Sequence, residues 1–317
     1  MEIAGQRVKM AGNRADGLVA LRGALQVDSN LGTARSRVFI AMAVLYAVWG
    51  SVFLANRFSL ESFPPFMLNA VRFLSAGSFL YFFLRLKGER PMSFQGWLES
   101  FLVGALLFIG GAGLLCVGQQ WVASGLSATL IATVPLWTVL FAGIWGKLPT
   151  RMEWTGLALG ICGVALMNME KGISGEPLGA LALIGAAVSW GLGSVLNNRF
   201  RELGRPIASA TEMIAGGVLL LAVSLALGEK VSLPLTTKAI MGMIHLSVFA
   251  SIIGFSIYRY LLRTVRPALA TSYALANPVT ATILGTLFAG ESISLVALAS
   301  MGVILAGVTL VFRARSI

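Results

Sequence analysis

Two tryptophans occupy matching short sequences, Val48-Trp49-Gly50-Ser51 and Ser189-Trp190-Gly191. An indole offers a flat apolar face and one N–H donor, which suits it to holding an apolar or aromatic body with a polar end. Two prolines bring a second kind of group: Thr133 and Trp137 flank Pro135, and Tyr273 and Asn277 precede Pro278. A proline inside a helix leaves the carbonyl four residues back without its donor, here those of Ile131 and Ala274. Tyr46, Ser51, Thr133, Ser189 and Asn277 add hydroxyl and amide atoms. This is equipment for binding and not for breaking bonds. His245 is the single histidine and no aspartate follows Asp28, so neither a Ser-His-Asp set nor a paired carboxylate site can be assembled. Gly143 to Lys147 has the wrong spacing for a phosphate-binding loop, and Leu148 follows it. Cys116 and Cys162 have no Cys, His or Asp near them, which indicates small packing residues and neither a disulfide nor a metal site. No catalytic residue, metal or cofactor is expected.

The elements that must position these groups follow from composition. Apolar residues make up 57% of the 317 and charged ones 12%, with a mean hydropathy of +0.83. Those values lie far outside the range of soluble domains. A hydrocarbon core of ~30 Å takes about 20 apolar residues to cross. Such stretches lie at about 38 to 56, 66 to 84, 98 to 119, 122 to 143 and 153 to 169, and again at about 178 to 198, 207 to 227, 238 to 258, 267 to 289 and 293 to 312. The expected fold class is an all-α membrane protein of ten transmembrane helices. Glycine is abundant at 36 residues, and series such as Gly156, Gly160 and Gly163 let helices approach closely in lipid.

Basic residues accumulate on the cytoplasmic side of membrane proteins. With the N-terminus inside, most of the 24 Lys and Arg fall on that side, Arg85, Lys87, Arg90, Arg199, Arg201, Arg259, Arg263 and Arg313 among them. Both termini are therefore expected in the cytoplasm, at a bacterial-type inner membrane. The same bias explains a net charge of +11 and a pI of about 10.4 without a nucleic-acid partner. Residues 1–37 read as a flexible, basic cytoplasmic tail with no apolar core of a secretory signal.

Shifting the chain by about 141 to 143 residues lays like on like. The two tryptophan segments coincide, Val122, Leu126 and Pro135 meet Val265, Leu269 and Pro278, and Gly160 meets Gly302. The repeat divides the body into 38–169 and 178–313. Five spans per copy is an odd number, so the second copy runs through the membrane in the opposite sense, a recurring plan of secondary transporters. At about 1.5 Å of rise per residue, Trp49, Trp190, Pro135 and Pro278 all come out near the midplane. The expected result is a central cavity walled by Tyr46, Trp49, Gly50, Ser51, Thr133, Pro135, Trp137, Ser189, Trp190, Gly191, Tyr273, Asn277 and Pro278. The plainer reading is that the prolines bend helices and the tryptophans pack between them. Coincidence at one depth in both copies favours the cavity.

Charges well inside the spans are few: Arg72, Glu212 and His245. An Arg or acid at a helix centre costs ~2.5–3.5 kcal/mol on insertion scales, so each calls for a reason. Arg72 and Glu212 are nearly repeat-equivalent, but inversion places the first ~10 Å below the outer surface and the second ~9 Å above the inner one. They are expected to act separately as gate or coupling groups, with outward snorkelling the alternative for Arg72. Glu212 is the first choice of carrier if protons drive the process, and His245 is either a second carrier or a hydrogen-bonded packing residue.

Val48-Trp49-Gly50-Ser51, Pro64-Pro65 with Arg72-Phe73 and Ala76-Gly77, Ala128-Thr129 with Pro135, and Pro267 through Asn277-Pro278 together resemble the EamA branch of the drug/metabolite transporter superfamily. The resemblance runs over about residues 38 to 313 and leaves out only the tail, which is longer than it leads one to expect. It implies a basket-like ten-helix fold around a central cavity, and bacterial inner-membrane export of amino acids or related metabolites, aromatic ones among them in some members. Carried residue by residue it touches Trp49, Gly50, Arg72, Pro135, Trp190, Asn277 and Pro278, and it names no solute. The expected function is a secondary active transporter, not an enzyme, working by alternating access. Its partners are a small-molecule solute, the lipid bilayer and, if transport is coupled, protons. A nucleotide-sugar or sugar-phosphate exchanger is the alternative within transport, although a phosphate-bearing solute wants several basic groups and only Arg72 is available. A non-transporting membrane sensor is the alternative outside it.

Overall fold

The computed structural model describes residues 36–122, 124–146, 148–169, 177–289 and 294–314; most of the basic tail, 1–35, lies outside them. By its contacts the chain divides into residues 1–41 and 42–317. Of the first unit only residues 36–41 are described, and they are helical. The elements described are helices throughout.

Among the described residues, seven helices are long and apolar enough to cross a membrane: α1 (Ser36–Ser59), α2 (Pro65–Leu86), α3 (Phe94–Gly118), α7 (Pro177–Arg199), α8 (Ala208–Ala226), α9 (Thr237–Thr264) and α12 (Leu295–Arg313). Between them lie α4 (Ser124–Ile131), α5 (Val134–Ile144), α6 (Arg151–Met169), α10 (Pro267–Thr271) and α11 (Tyr273–Ala289). Their ends carry the expected signals. Ser93, Thr236 and Ser294 each accept a backbone N–H three residues on, at the starts of α3, α9 and α12. Thr150 and Glu153 cap α6 reciprocally, Thr150 N–H to Glu153 Oε2 at 2.6 Å and Glu153 N–H to Thr150 Oγ1 at 3.2 Å. Gly88, Gly146 and Gly228 take positive φ just past α2, α5 and α8, where a Cβ would be strained.

Three sequence expectations need correction. The fourth span is two helices, broken at Ala132 and Thr133, so Pro135 lies in the first turn of α5 and not in a helix interior. Proline is favoured there because its missing N–H is one of the orphans of a helix start. The ninth span also breaks, at Ser272, whose hydroxyl donates to the Leu269 carbonyl at 2.7 Å and competes with the helical ladder; Pro278 does lie inside α11. The eighth span continues to Thr264, which places Arg259 and Arg263 within α9 and not in a loop.

Two helices widen at matching places. Residues Ala105–Gly113 of α3 and Leu246–Phe255 of α9 are π-helical, at positions about 141 residues apart. Short π-helical stretches are usual at functional sites. α2 packs on α8 and α6 on α12, in each case through glycines. A Cβ added at Gly77 would lie 3.0 Å from Ile214 Cγ1, and one at Gly217 would lie 2.8 Å from Leu74 Cγ, the same contact made reciprocally. A Cβ at Gly307 would fall 2.6 Å from the Gly160 nitrogen. Loops are tied in the same crossed fashion. Ser232 N–H donates to the Ser62 carbonyl at 2.8 Å, and Arg205 donates to the carbonyls of Arg90 and Pro91 at 2.6 and 3.1 Å.

Candidate functional site

Helices α1, α7, α9 and α11 meet through aromatic rings. Trp49 donates its indole N–H to the Ala250 carbonyl on the π-helical turn of α9, at 3.1 Å. Its ring centroid lies 4.4 Å from Tyr273, 4.9 Å from Tyr258 and 5.5 Å from Trp190, the first and last edge to face, a favoured arrangement for aromatic pairs. Trp190 donates to the Tyr258 hydroxyl at 3.2 Å, and that hydroxyl also bonds Ser194 Oγ. Each tryptophan seats against a glycine of a widened helix: a Cβ at Gly254 would lie 2.4 Å from Trp49 Nε1, and one at Gly111 would lie 2.5 Å from Trp190 Cε3.

These rings wall a cavity enclosing about 650 Å³, its open part included. Trp49, Trp190, Tyr273, Phe73, Phe108 and Phe255 supply its aromatic wall, Arg72 and Asn277 its polar groups, and aliphatic residues such as Val52, Leu115 and Ile131 the remainder. A mostly apolar concavity with a few convergent polar groups is the form of a small-molecule site. Arg72 is the one charged side chain among the described lining residues.

Arg72 is 6% exposed, so it does not snorkel outward. Its Nε donates to Ser251 Oγ at 2.7 Å, and Ser251 in turn donates to the Leu246 carbonyl at 2.9 Å. The guanidinium carbon stands 4.6 Å from the Phe73 ring centroid. Its side chain lines the same cavity as Trp49. Glu212 has different partners. It is fully buried on α8, pairs with Arg259 of α9, and accepts both Asn197 Nδ2 bonds, at 3.0 and 2.9 Å. Arg259 also donates to the Leu203 carbonyl, as does Arg263. Lacking an outside partner in sequence, Glu212 itself was the signal for Arg259, because an acid buried in a span requires a nearby donor.

Of the residues expected at the cavity, Trp49, Trp190, Tyr273 and Asn277 line it. The others stand outside the lining and have other neighbours. Tyr46 bonds Ser272 Oγ at 2.6 Å, and Ser51 meets His245 Nε2 at 2.8 Å and donates to the Val48 carbonyl. Thr133 donates to the Leu130 carbonyl at 2.6 Å and receives the Trp137 N–H at 3.3 Å. Ser189 donates to the Leu106 carbonyl at 2.9 Å. A Cβ at Gly50 would strike Thr280, and one at Gly191 would strike Thr138 and Trp137. Pro135 and Pro278 are buried in the helices described above. The hydroxyls of Tyr46, Ser51 and Ser189 are engaged with neighbouring helices, which spacing along a chain does not reveal. Phe108 and Phe255 line the cavity although nothing in the sequence sets them apart from other apolar residues of the spans, and Phe73 joins them, marked in the sequence only as part of the family resemblance.

A family model, the EamA-like transporter family, matches this chain twice, at residues 37–169 and 177–313. A protein of Escherichia coli K12 named uncharacterized inner membrane transporter YedA is 40% identical over 275 residues, 86% of this chain and 90% of its own. The Bacillus subtilis uncharacterized transporter YvbV is 26% identical over 87% of this chain and 92% of its own. A solved crystal structure, 18% identical, superposes with a TM-score of 0.72 over 88% of this chain and 97% of its own, which is a likeness of fold.

Proposed function

The chain belongs to the EamA-like transporter family, and from that premise we propose that it exports small amphipathic metabolites, amino acids with aromatic or other apolar side chains foremost, by alternating access. It is a multi-pass inner-membrane transporter of a small solute and not an enzyme. The finer reading takes ten spans in two inverted halves, 38–169 and 178–313, around the central cavity, with both termini in the cytoplasm. The double match of the family model supports that division, and so do the paired π-helical stretches and the reciprocal contacts of Trp49 with Gly254 and Trp190 with Gly111. Contact between the repeat-equivalent tryptophans supports a pseudo-twofold axis passing close to them.

The observation that carries the solute class is the aromatic wall with a single cation in it. Aromatic faces receive an apolar body, whereas a sugar phosphate wants a cluster of basic groups. In proteoliposomes, unlabelled phenylalanine inside should drive counterflow of labelled phenylalanine. Protein that exchanges no amino acid, whatever ion gradient is applied, contradicts the proposal. Proton coupling is assigned to Glu212, whose protonation would release Arg259 and loosen α8 from α9. Glu212→Gln leaves Arg259 unpaired and lowers stability, but the protein that remains folded should then keep counterflow and lose accumulation driven by a pH gradient; pH-driven accumulation by that variant removes Glu212 from the mechanism. Reporter fusions after Arg90 and after Lys171 should read cytoplasm and outside; the reverse result overturns the orientation.

A further inference from the structure

The cavity holds one uncompensated cation and one unpartnered acceptor. Arg72 is buried with a single hydrogen bond, through Nε to Ser251 Oγ, and the ion pairs among the described residues leave it without a carboxylate. That bond leaves the two terminal nitrogens, the fork that fits a carboxylate with two parallel bonds, uncommitted. Asn277, 4% exposed, lines the same cavity, and its Oδ1 is buried with no hydrogen-bond partner. Buried donors and acceptors left unmet are costly and are few in native proteins, so two in one cavity call for a common explanation. One turn back from Asn277 on α11, the Ala274 carbonyl lacks its helical donor because Pro278 has no N–H.

We propose that Arg72 and Asn277 are the two ends of a receptor for a zwitterionic head group, Arg72 taking the carboxylate and Asn277 Oδ1 the ammonium of a free α-amino acid, while the aromatic wall takes the side chain. Ser251 is a positioning residue that orients the guanidinium. The assignment rests on the amino-acid reading above and adds to it the polarity of the site: a carboxylate is required, an ammonium improves binding, and an amine without a carboxylate is rejected by the buried cation.

Three compounds of one body separate these terms: L-phenylalanine, phenylacetate and phenethylamine. Trp49 and Trp190 wall the cavity, so quenching of tryptophan emission in the purified full-length protein reads their binding. Phenylalanine should bind tightest, phenylacetate next, and phenethylamine at least about tenfold more weakly than phenylacetate. Arg72→Gln should weaken phenylalanine and phenylacetate by about tenfold or more and leave phenethylamine no weaker. Asn277→Ala should bring phenylalanine down to the level of phenylacetate and leave phenylacetate unchanged. If Arg72→Gln does not fold, Arg72→Lys and Ser251→Ala carry the test, each weakening phenylacetate several-fold without weakening phenethylamine. Phenethylamine binding as tightly as phenylacetate, or phenylacetate affinity indifferent to these substitutions, overturns the receptor while leaving the amino-acid reading intact. Binding of none of the three overturns both.

Discussion

Arg259→Met should lower the stability of the purified protein by ~3–5 kcal/mol, the usual cost of leaving one member of a buried ion pair alone. Glu212 is fully buried and Arg259 is 4% exposed, so no water replaces the lost guanidinium. Asn197 would still donate to both carboxylate oxygens, but an amide does not neutralise a charge in low dielectric. The double variant Glu212→Gln with Arg259→Met removes the stranded charge together with its partner and should recover most of the loss, because the pair as a whole contributes far less than either half costs when orphaned. Denaturation in detergent followed by circular dichroism measures both. A single variant as stable as the wild type, or a double variant no better than the single, would show that the pair does not join α8 to α9 in this way.

Trp49→Ala should have a comparable effect on stability and a larger one on transport. The indole is 7% exposed, touches the rings of Trp190, Tyr258 and Tyr273, and ties α1 to the widened turn of α9 through Ala250. Truncating a buried tryptophan costs ~3–5 kcal/mol by transfer and cavity formation. Because the same ring forms part of the cavity wall, phenylalanine counterflow should fall by more than tenfold even in variants stabilised enough to fold, the loss of ~1.4 kcal/mol or more of solute binding. Trp49→Phe keeps an aromatic face but removes the N–H to Ala250 and should cost ~1 kcal/mol. If Trp49→Ala melts as the wild type does and transports as well, the ring cluster is neither the keystone of the cavity nor a contact for the solute.

Much of this molecule is legible along the chain. Composition alone makes lipid the solvent, and the family model matches the chain twice, at residues 37–169 and 177–313. The pairing of Trp49 with Trp190 is visible as a repeated Trp-Gly pair, and in the structure their rings stand 5.5 Å apart. Asn277 and Tyr273, four residues apart on one helical face, both line the cavity. Hydrophobic length and periodicity are local properties, and local properties survive reading in one dimension.

Side-chain direction is not local, and it decided the rest. Position along the chain makes Arg72 a gate or coupling candidate, and its bond to Ser251, 179 positions away in sequence, is what sets its side chain at the cavity. Arg259 belonged to a loop so long as the eighth span ended at Tyr258; continuation of α9 to Thr264 makes it the partner of Glu212. Tyr46, Ser51 and Ser189 bond neighbouring helices instead, and Thr133 bonds the Leu130 carbonyl of its own segment. The sequence by itself determined the solvent and the pairing of the two tryptophan segments, because polarity summed over a span and likeness at a fixed shift are both read along the chain. Only the tertiary structure decided which polar groups face the cavity, because a helix presents every residue at a given depth to a different neighbour, and the neighbours are chosen by packing.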